Sequence, residues 1–374
     1  MSSRRFGRIA SIAGMAAILL AVGIRFPLGW DGHADAAETL LRRQGFAGSA
    51  ACAKCHPAIH ASYSETSMRA ALLEPGRPRA LRGKLPISNT VGRARYAIRE
   101  AAPGRFRYGV QFGEERLNLP VRWVFGLGAA GQTYVLEDGA KLLESRVSFY
   151  DSTRELDLTI GAANEEPGNL REAAGRLMSE ADIRECFGCH ALGVPPTGEP
   201  TLDGIEPGVG CENCHGPAAA HVAARSGGDL KAGRMTSLRG REAEEISQLC
   251  GQCHRTWEDV MSLRIRGVNN VRFQPYRLTL SPCYDSADMR ISCVACHNPH
   301  ANVVRGAAAY DAKCMGCHST AAAEPRPKAV RCGAGEQTNC ATCHMPKRAL
   351  PGAHHEFSDH YIRVHRAGEA YPDL

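Results

Sequence analysis

Aromatic side chains are scarce in this sequence, and no basic patch is interleaved with them. Phe, Trp and Tyr make up only 6% of its 374 residues. The formal net charge of +6 would by itself fit a nucleic acid or an acidic membrane surface. Recognition of a nucleic acid, however, needs basic patches with interleaved aromatic residues or a recognisable binding module. The sequence therefore excludes a nucleic acid as the partner.

Long apolar runs are also scarce. One uncharged run, from Ile9 to Ile24, follows a cluster of arginines and is slightly short for a membrane-spanning helix, although the residues up to Trp30 extend it. An Ala-Asp-Ala sequence further on resembles the cleavage site of an export signal. We therefore predict that residues 1–36 are either a signal peptide for the general secretory route or an anchor in the inner membrane through residues 9–30.

What the sequence does contain is cysteine in a fixed arrangement. Of its sixteen cysteines, fourteen lie in seven copies of Cys-x-x-Cys-His. Two thiols spaced in this way form thioethers to one porphyrin, and the His that follows is the proximal iron ligand, so the motif predicts c-type haem attachment. Zinc sites do not require a His after every second Cys. The predicted sites are Cys52/Cys55/His56, Cys186/Cys189/His190, Cys211/Cys214/His215, Cys250/Cys253/His254, Cys293/Cys296/His297, Cys314/Cys317/His318 and Cys340/Cys343/His344.

Seven covalently attached haems c constrain the rest of the chain. With about fifty residues for each haem, the porphyrins supply much of the buried apolar surface, so we expect the apoprotein to be poorly folded. Each ferric haem contributes about −1, which brings the holoprotein to about −1 overall. The predicted fold class is mainly α with extensive loops, a multihaem cytochrome c array with a β-rich insertion between the first and second haem sites.

The spacing of the motifs divides the chain. We predict a first haem segment at residues 40–84, the β-rich insertion at residues 85–165 and a region carrying haems two to seven at residues 166–374. The insertion contains no cluster of metal ligands. It is either a packing module that covers one side of the haem array or a docking surface for a redox partner.

Local patterns support the insertion. Between residues 105 and 112 apolar and polar side chains alternate, as in a half-buried strand, and Asp138-Gly139 is typical of a hairpin turn. After the insertion, the apolar spacing of residues 169–184 predicts a helix that leads to Cys186.

Cys283 and Cys332 belong to no motif. Thioether haems are attached outside the cytoplasm, where a spare pair of thiols can be oxidised. We expect a disulfide between these two residues that brackets the fifth and sixth haem sites, with two independent buried thiols as the alternative. The same reasoning predicts an extracytoplasmic, periplasmic location.

Eight of the fifteen histidines lie outside the motifs. Electron-transfer haems usually bind a second His or Met, whereas catalytic haems leave that position open. His221 and His300 follow short Pro-containing turns that direct each imidazole toward a neighbouring haem. The further candidates for a second axial ligand are Met68, His360, one of His354 and His355, His60 and His365, and His33 lies in the N-terminal segment. A solvated surface side chain is the alternative for each histidine.

Four stretches resemble the cytochrome c-552/c-554 type multihaem cytochromes. They are Glu-Cys186-Phe-Gly-Cys-His, Gly-Val-Gly-Cys211-Glu-Asn-Cys-His-Gly-Pro with a following His, Ser-Cys293-Val-Ala-Cys-His-Asn-Pro-His, and Asn-Cys340-Ala-Thr-Cys-His-Met-Pro-Lys with a later Ser-Asp-His. The motifs cover about two thirds of the chain.

The resemblance carries expectations about ligands. It implies that His221 closes the first haem and that the residue at position 68 closes the third. In the tetrahaem members that residue is His, whereas here it is Met68, whose thioether favours ferrous iron. The resemblance also implies that the second haem, bound by His190, lacks a strong distal ligand.

Together these observations predict an electron-transfer protein rather than an enzyme. Its partners are expected to be extracytoplasmic redox proteins, among them a membrane quinol-linked complex. One alternative is a multihaem oxidoreductase that acts on a small nitrogen or sulfur compound at an open haem on His190. Another is a haem-bearing subunit of a membrane respiratory complex.

We expect the mature protein to carry seven haems on each polypeptide. Pyridine haemochrome absorbance per mole of protein measures this number, and intact mass of soluble and membrane fractions reports whether residues 1–36 are retained. As a matched control, replacing Cys340 and Cys343 by Ala should remove one haem. A colourless mature protein with the mass of the bare chain would contradict the prediction.

Overall fold

The computed structural model describes residues 45–76, 81, 85–319, 338–366 and 368–372. The predicted signal or anchor, His33 and Cys332 lie outside these residues, and so does the predicted Cys283–Cys332 disulfide. The described chain consists of an antiparallel sheet and a set of short helices that carry the Cys-x-x-Cys-His motifs.

Ten strands form one sheet. They are β1 (Leu72–Leu73), β2 (Ile87–Val91), β3 (Ala94–Ala102), β4 (Arg105–Phe112), β5 (Glu115–Gly128), β6 (Gly131–Asp138), β7 (Lys141–Ser145), β8 (Val147–Tyr150), β9 (Glu155–Leu158) and β10 (Gly175–Leu177). The main path runs β10-β7-β6-β5-β4-β3-β2, with β1 paired to β5, β8 paired to β6, and β9 paired to β8.

The sheet folds because its strands alternate in polarity. In β3 and β4 the side chains of Tyr96, Ile98, Tyr108 and Val110 are buried, while Arg95 and Arg99, which flank the buried pair in β3, are exposed. The hairpin predicted at Asp138-Gly139 is confirmed, because Asp138 at the end of β6 pairs with the first residue of β7 and Gly139 has a φ of 62°.

The predicted fold class, mainly α with extensive loops, is wrong, because the ten-stranded sheet is the largest element of the described chain. Two features caused the error. The sheet recruits β1 and β10 from outside the alternating segment. In addition, the fourteen-residue strand β5 shifts register twice against β6, and such bulges bend a strand so that one sheet can curve around its own core.

The helix predicted over residues 169–184 is interrupted. Helices α1 (Ser49–Ala53) and α2 (Pro57–Ser64) precede the sheet. The first part of the predicted segment forms helix α3 (Leu170–Ala174), which ends where β10 begins. Gly175 permits this change, since a Cβ there would lie 2.1 Å from the carbonyl oxygen of Glu144 on β7. A side chain at this position would keep β10 off the sheet edge.

The remaining helices are short. They are α4 (Glu180–His190), α5 (Cys211–His215), α6 (Ala219–Ser226), α7 (Ala243–His254), α8 (Trp257–Ser262), α9 (Gln274–Thr279), α10 (Cys293–Cys296), α11 (Asp311–His318) and α12 (Cys340–His344). Two small hairpins join them, β11 (Ala191–Leu192) with β12 (Glu206–Pro207) and β13 (Lys347–Leu350) with β14 (His355–Ser358). Within the described ranges, no helix has the length and apolar character needed to cross a membrane.

A capping box begins α4, the helix that carries the second motif. The Ser179 hydroxyl accepts from the Asp182 backbone N–H, and the Asp182 carboxylate accepts in return from the Ser179 backbone N–H. Hydrogen bonds from Ser179 and Arg176 lower the pKa of Asp182 from its ordinary 3.8 to about 2.

The capping box predicts how the stability of α4 depends on pH. Because the pKa of Asp182 is lower in the folded state than in the unfolded state, its contribution is full above about pH 4 and is lost as the pH falls toward about 2. Denaturant titration should find Asp182→Asn less stable than the parent at pH 7, with a difference that shrinks between pH 4 and pH 2. Glu180→Gln, which removes an exposed carboxylate from the same turn, is the control and should change little. A pH-independent difference would contradict this account.

Candidate haem sites

Most of the motifs lie on one turn of helix. Helices α4, α7 and α11 end at the His of their motif, α5 and α12 consist of the five motif residues, and α1 and α10 contain only the start of theirs. On a helix, positions i, i+3 and i+4 lie on one face. The two thiols and the imidazole of a motif can therefore reach the same porphyrin.

Several proximal imidazoles are fixed by a backbone carbonyl. The Nδ1 atom of His190 lies 2.9 Å from the oxygen of Ala71, that of His215 2.8 Å from the oxygen of Thr236, and that of His344 2.9 Å from the oxygen of Arg363. A carbonyl can only accept, so Nδ1 carries the proton and Nε2 remains free for iron. The residues present therefore fit haem iron.

Burial keeps other motif imidazoles neutral. It lowers the pKa of His190, His254 and His297, against a smaller opposing effect of hydrogen bonds at the first two. A neutral imidazole is the form that binds a metal. His56 and His318 are exposed.

Two pairs of imidazoles have the separation of axial ligands on one iron. The ring centroids of His215 and His300 are 6.0 Å apart with planes 14° from parallel, and those of His297 and His360 are 6.2 Å apart. Metal–nitrogen bonds of about 2 Å on both sides of one iron, with about 1 Å from each nitrogen to its ring centre, give a separation of about 6 Å. These distances fit the third and fifth haem sites.

The loop that carries His300 is held against the first haem segment. The Ser62 hydroxyl donates to the carbonyl of His300 over 2.7 Å. The Asn302 side chain accepts from the Ser67 backbone N–H and donates to the Glu65 carbonyl. This docking brings His300 to the ring of His215. Met68 is half-buried next to the same contacts, and its carbonyl accepts from Ala71 and Val209.

In two of the predicted second ligands, as in the motif histidines above, the Nδ1 atom lies next to a backbone carbonyl oxygen. The Nδ1 of His221 lies 2.9 Å from the oxygen of Gly233, and the Nδ1 of His360 lies 3.0 Å from the oxygen of Ser358. Burial lowers the pKa of His360 to about 4. Both imidazoles therefore have a free Nε2.

Other candidate histidines contact protein groups. The Nε2 of His354 lies 2.7 Å from a carboxylate oxygen of Asp157, whereas His355 packs edge-on against Phe357. His365 lies 3.3 Å from both Arg348 and Glu369. His60 is half-buried on α2, near Cys211. Of the two adjacent histidines, His355 is thus the one without a carboxylate on its Nε2.

Cysteines of different motifs form hydrogen-bonded pairs. These pairs are Cys52–Cys211, Cys189–Cys253, Cys250–Cys293 and Cys314–Cys340. Before haem attachment, while both sulfurs are free thiols, this interaction lowers the pKa of Cys211 to about 6 and that of Cys189 to about 7, and it raises the pKa of Cys52 and Cys253. The pairs join the first motif to the third, the second to the fourth, the fourth to the fifth and the sixth to the seventh.

Weaker contacts fill the gaps between these pairs. Cys214 of the third motif lies close enough to Cys250 and Cys253 for its charge to raise the pKa of both. Cys296 of the fifth motif acts in the same way on Cys314 of the sixth. Electrostatic interactions between cysteines therefore link each of the seven motifs to at least one other motif.

The remaining motif cysteines lie outside these sulfur contacts between motifs. Cys55 of the first motif and Cys343 of the seventh are exposed, whereas Cys186 of the second and Cys317 of the sixth are half-buried. Burial raises the pKa of Cys186 to about 11. The sequence analysis treated all motif cysteines alike, but the structure does not bring Cys55 or Cys317 to a sulfur of another motif within the described ranges. Haem attachment at all fourteen motif cysteines stays a prediction that depends on the motifs.

The sequence analysis missed Glu212, which lies between the cysteines of the third motif. Its buried carboxylate accepts hydrogen bonds from the backbone N–H groups of Ala47, Gly48 and Ala218. This side chain therefore fastens the segment before the first motif to the helix of the third. An acidic residue inside a haem motif was the available signal.

Comparison with known proteins gives one family. Residues 153–216, which include the second and third motifs, match the family model described as Cytochrome c554 and c-prime. The match supports a c-type cytochrome family. The predicted resemblance is confirmed, and covalently bound haem c and electron transfer in general accompany that family.

No curated protein matches this chain. Among solved structures, the crystal structure of the outer cell wall cytochrome OcwA is similar, with 14% identity and a TM-score of 0.49 over 85% of this chain and 80% of that one.

The ring distances predict which side chain completes the third haem. Replacing His300 by Ala should convert one haem from low-spin to high-spin in the ferric EPR spectrum, because its iron loses a strong-field ligand. Added imidazole should restore the low-spin signal. Met68→Ala is the matched control and should leave the number of low-spin haems unchanged. The opposite pattern, with only the Met68 variant becoming high-spin, would refute the assignment.

Proposed function

We propose that this protein relays electrons through seven covalently attached haems between extracytoplasmic redox partners. Haem iron supplies the reversible one-electron chemistry when it is bound. The chain supplies the thiols and imidazoles that hold the irons, and through burial and hydrogen bonding it sets their potentials. The contacts between cysteines of different motifs are the observation that carries this proposal.

Those contacts support close spacing of the cofactors. A motif sulfur forms its thioether with a vinyl group at the porphyrin edge. Two motif sulfurs that lie side by side therefore bring the edges of two porphyrins close together. The proposed main path joins the first, third, fourth, fifth, sixth and seventh motifs. The second motif joins the path at the fourth through Cys189 and Cys253.

The ligand geometry supports low-spin, electron-transferring sites. We assign His215 and His300 to the third haem, and His297 and His360 to the fifth, from their ring separations of 6.0 and 6.2 Å. His221 remains the proposed second ligand of the first haem. Two strong axial ligands leave no open position for substrate, which favours relay over catalysis at these irons.

The location and the partners belong to the same proposal. Attachment of haem through thioethers takes place outside the cytoplasm, and the sequence of residues 1–36 has the features of an export signal. We propose periplasmic redox proteins as donor and acceptor, with a membrane quinol-linked complex as one candidate.

Loss of a middle haem should disconnect more than one haem. An Ala58→Cys variant, altered on an exposed face of α2 beside the first motif, would be tethered to a gold electrode. Fast voltammetry would then measure the charge passed for each bound molecule. Replacing Cys250 and Cys253 by Ala should lower that charge by much more than the one electron that a single haem carries, because the path through the fourth motif is broken.

The terminal motif provides the control. Replacing Cys340 and Cys343 by Ala removes a haem at the end of the proposed path. The charge should therefore fall only by the one electron that this haem carries. Pyridine haemochrome assay must find the same number of haems in both variants. If both variants then pass the same charge, the proposed relay is refuted.

A further inference from the structure

The C-terminal part of the chain contains a fully buried ion pair. The side chains of Arg277 on α9 and Asp359 after β14 are both 0% exposed. The guanidinium donates two hydrogen bonds of 2.9 Å, one to each carboxylate oxygen of Asp359. Such a two-pronged arrangement fixes the orientation of both partners.

Further groups complete this pair. Arg363 donates to the same carboxylate over 3.3 Å and pairs with Glu369. Arg277 also donates to Asn270, and its guanidinium lies over the ring of Tyr371. Two arginines and two carboxylates make the cluster neutral, so its burial leaves no uncompensated charge.

On one side, the cluster is hydrogen-bonded to the turn that contains His360. The Asp359 carboxylate accepts from the Tyr361 backbone N–H, and the Asp359 backbone N–H donates to the Pro346 carbonyl. Ser281 holds the same turn, because its hydroxyl donates to the carbonyl of His360 and accepts from the N–H of Ile362. The imidazole of His360 is thus held from both of its chain neighbours.

The other side of the cluster controls His344. The carbonyl of Arg363 accepts from the Nδ1 of His344 over 2.9 Å, and the N–H of Arg363 donates to the His344 carbonyl over 3.3 Å. The side chain of Arg363 is nearly buried and contacts the carboxylate of Asp359. Movement of Asp359 would therefore disturb both His344 and His360.

We infer that Arg277 is a positioning residue that couples the ligation of two haems. Through Asp359 it holds His360 on the fifth haem, and through Asp359 and Arg363 it holds His344 on the seventh. A buried ion pair adds little net stability compared with apolar residues, so its value here lies in fixing one arrangement of the ligands. The inference rests on the proposed assignment of these histidines to the fifth and seventh haems.

The test compares two variants that disturb different parts of the unit. Arg277→Lys keeps the charge but loses the two-pronged bond. We expect this variant to keep all seven haems, to bind more carbon monoxide per molecule in the ferrous state than the parent does, and to shift two midpoint potentials. Ser281→Ala loosens only the turn of His360, so it should shift one potential.

Arg171→Gln is the control. It removes an exposed guanidinium on α3 that pairs with Asp138 at the end of β6, so carbon monoxide binding and midpoint potentials should match the parent. If Arg277→Lys retains the midpoint potentials of the parent and its extent of carbon monoxide binding, the inference is overturned. If Arg277→Lys fails to fold, Arg363→Lys decides, since an unchanged midpoint potential of the seventh haem would overturn the proposed coupling through Asp359 and Arg363. Intact mass separates this result from failure of the seven-haem proposal, which would appear as missing haem in the parent.

Discussion

The proposed haem attachment requires two thiols and one imidazole of each motif to reach the same porphyrin, and this requirement governs the local structure around the motifs. It is met by a single helical turn, which explains why the helices that carry motifs are short and why several end at the motif His. A single turn cannot orient its imidazole alone. The carbonyl groups that do so for His190, His215 and His344 come from segments outside the motif helices. Each site is therefore completed by tertiary structure, even though its covalent part is local.

The sheet takes part in completing the second site. The carbonyl that binds His190 belongs to Ala71, just before β1, and the ring of Phe125 on β5 meets His190 edge-on at 4.9 Å. Because β1 pairs with β5, the sheet fixes both contacts at once. Trp123 and Phe187 extend the same apolar cluster between the sheet and α4. The sheet therefore forms part of the wall of the proposed second haem site as well as a core of its own, and a mainly α array would lack that wall.

The sequence predicted what is local and failed where distant segments meet. The motif residues, the alternating strand at residues 105–112 and the turn at Gly139 could be read directly, because each depends on the spacing of nearby side chains. The size of the sheet could not be predicted, since β1 and β10 are too short to carry a periodic signal. The meeting of His300 with His215 depends on hydrogen bonds from Ser62 and Asn302, and no spacing within one segment encodes those. The buried partners Arg277 and Asp359 were missed for the same reason, as they look like ordinary charged residues in the sequence.

The order of the motifs in space differs from their order in the chain, and Glu212 shows how this arises. The first motif touches the third, and the second touches the fourth, so the chain must pass through the whole sheet before it returns to the first motif. Glu212 receives three backbone N–H groups, two of which precede the first motif. A buried carboxylate without those donors would be costly, so the carboxylate stabilises only the arrangement in which the segments meet. Glu212, which is not a proposed haem ligand, therefore helps to determine that the first and third motifs are neighbours. The long sheet between the first and second motifs does not remove either motif from the proposed path.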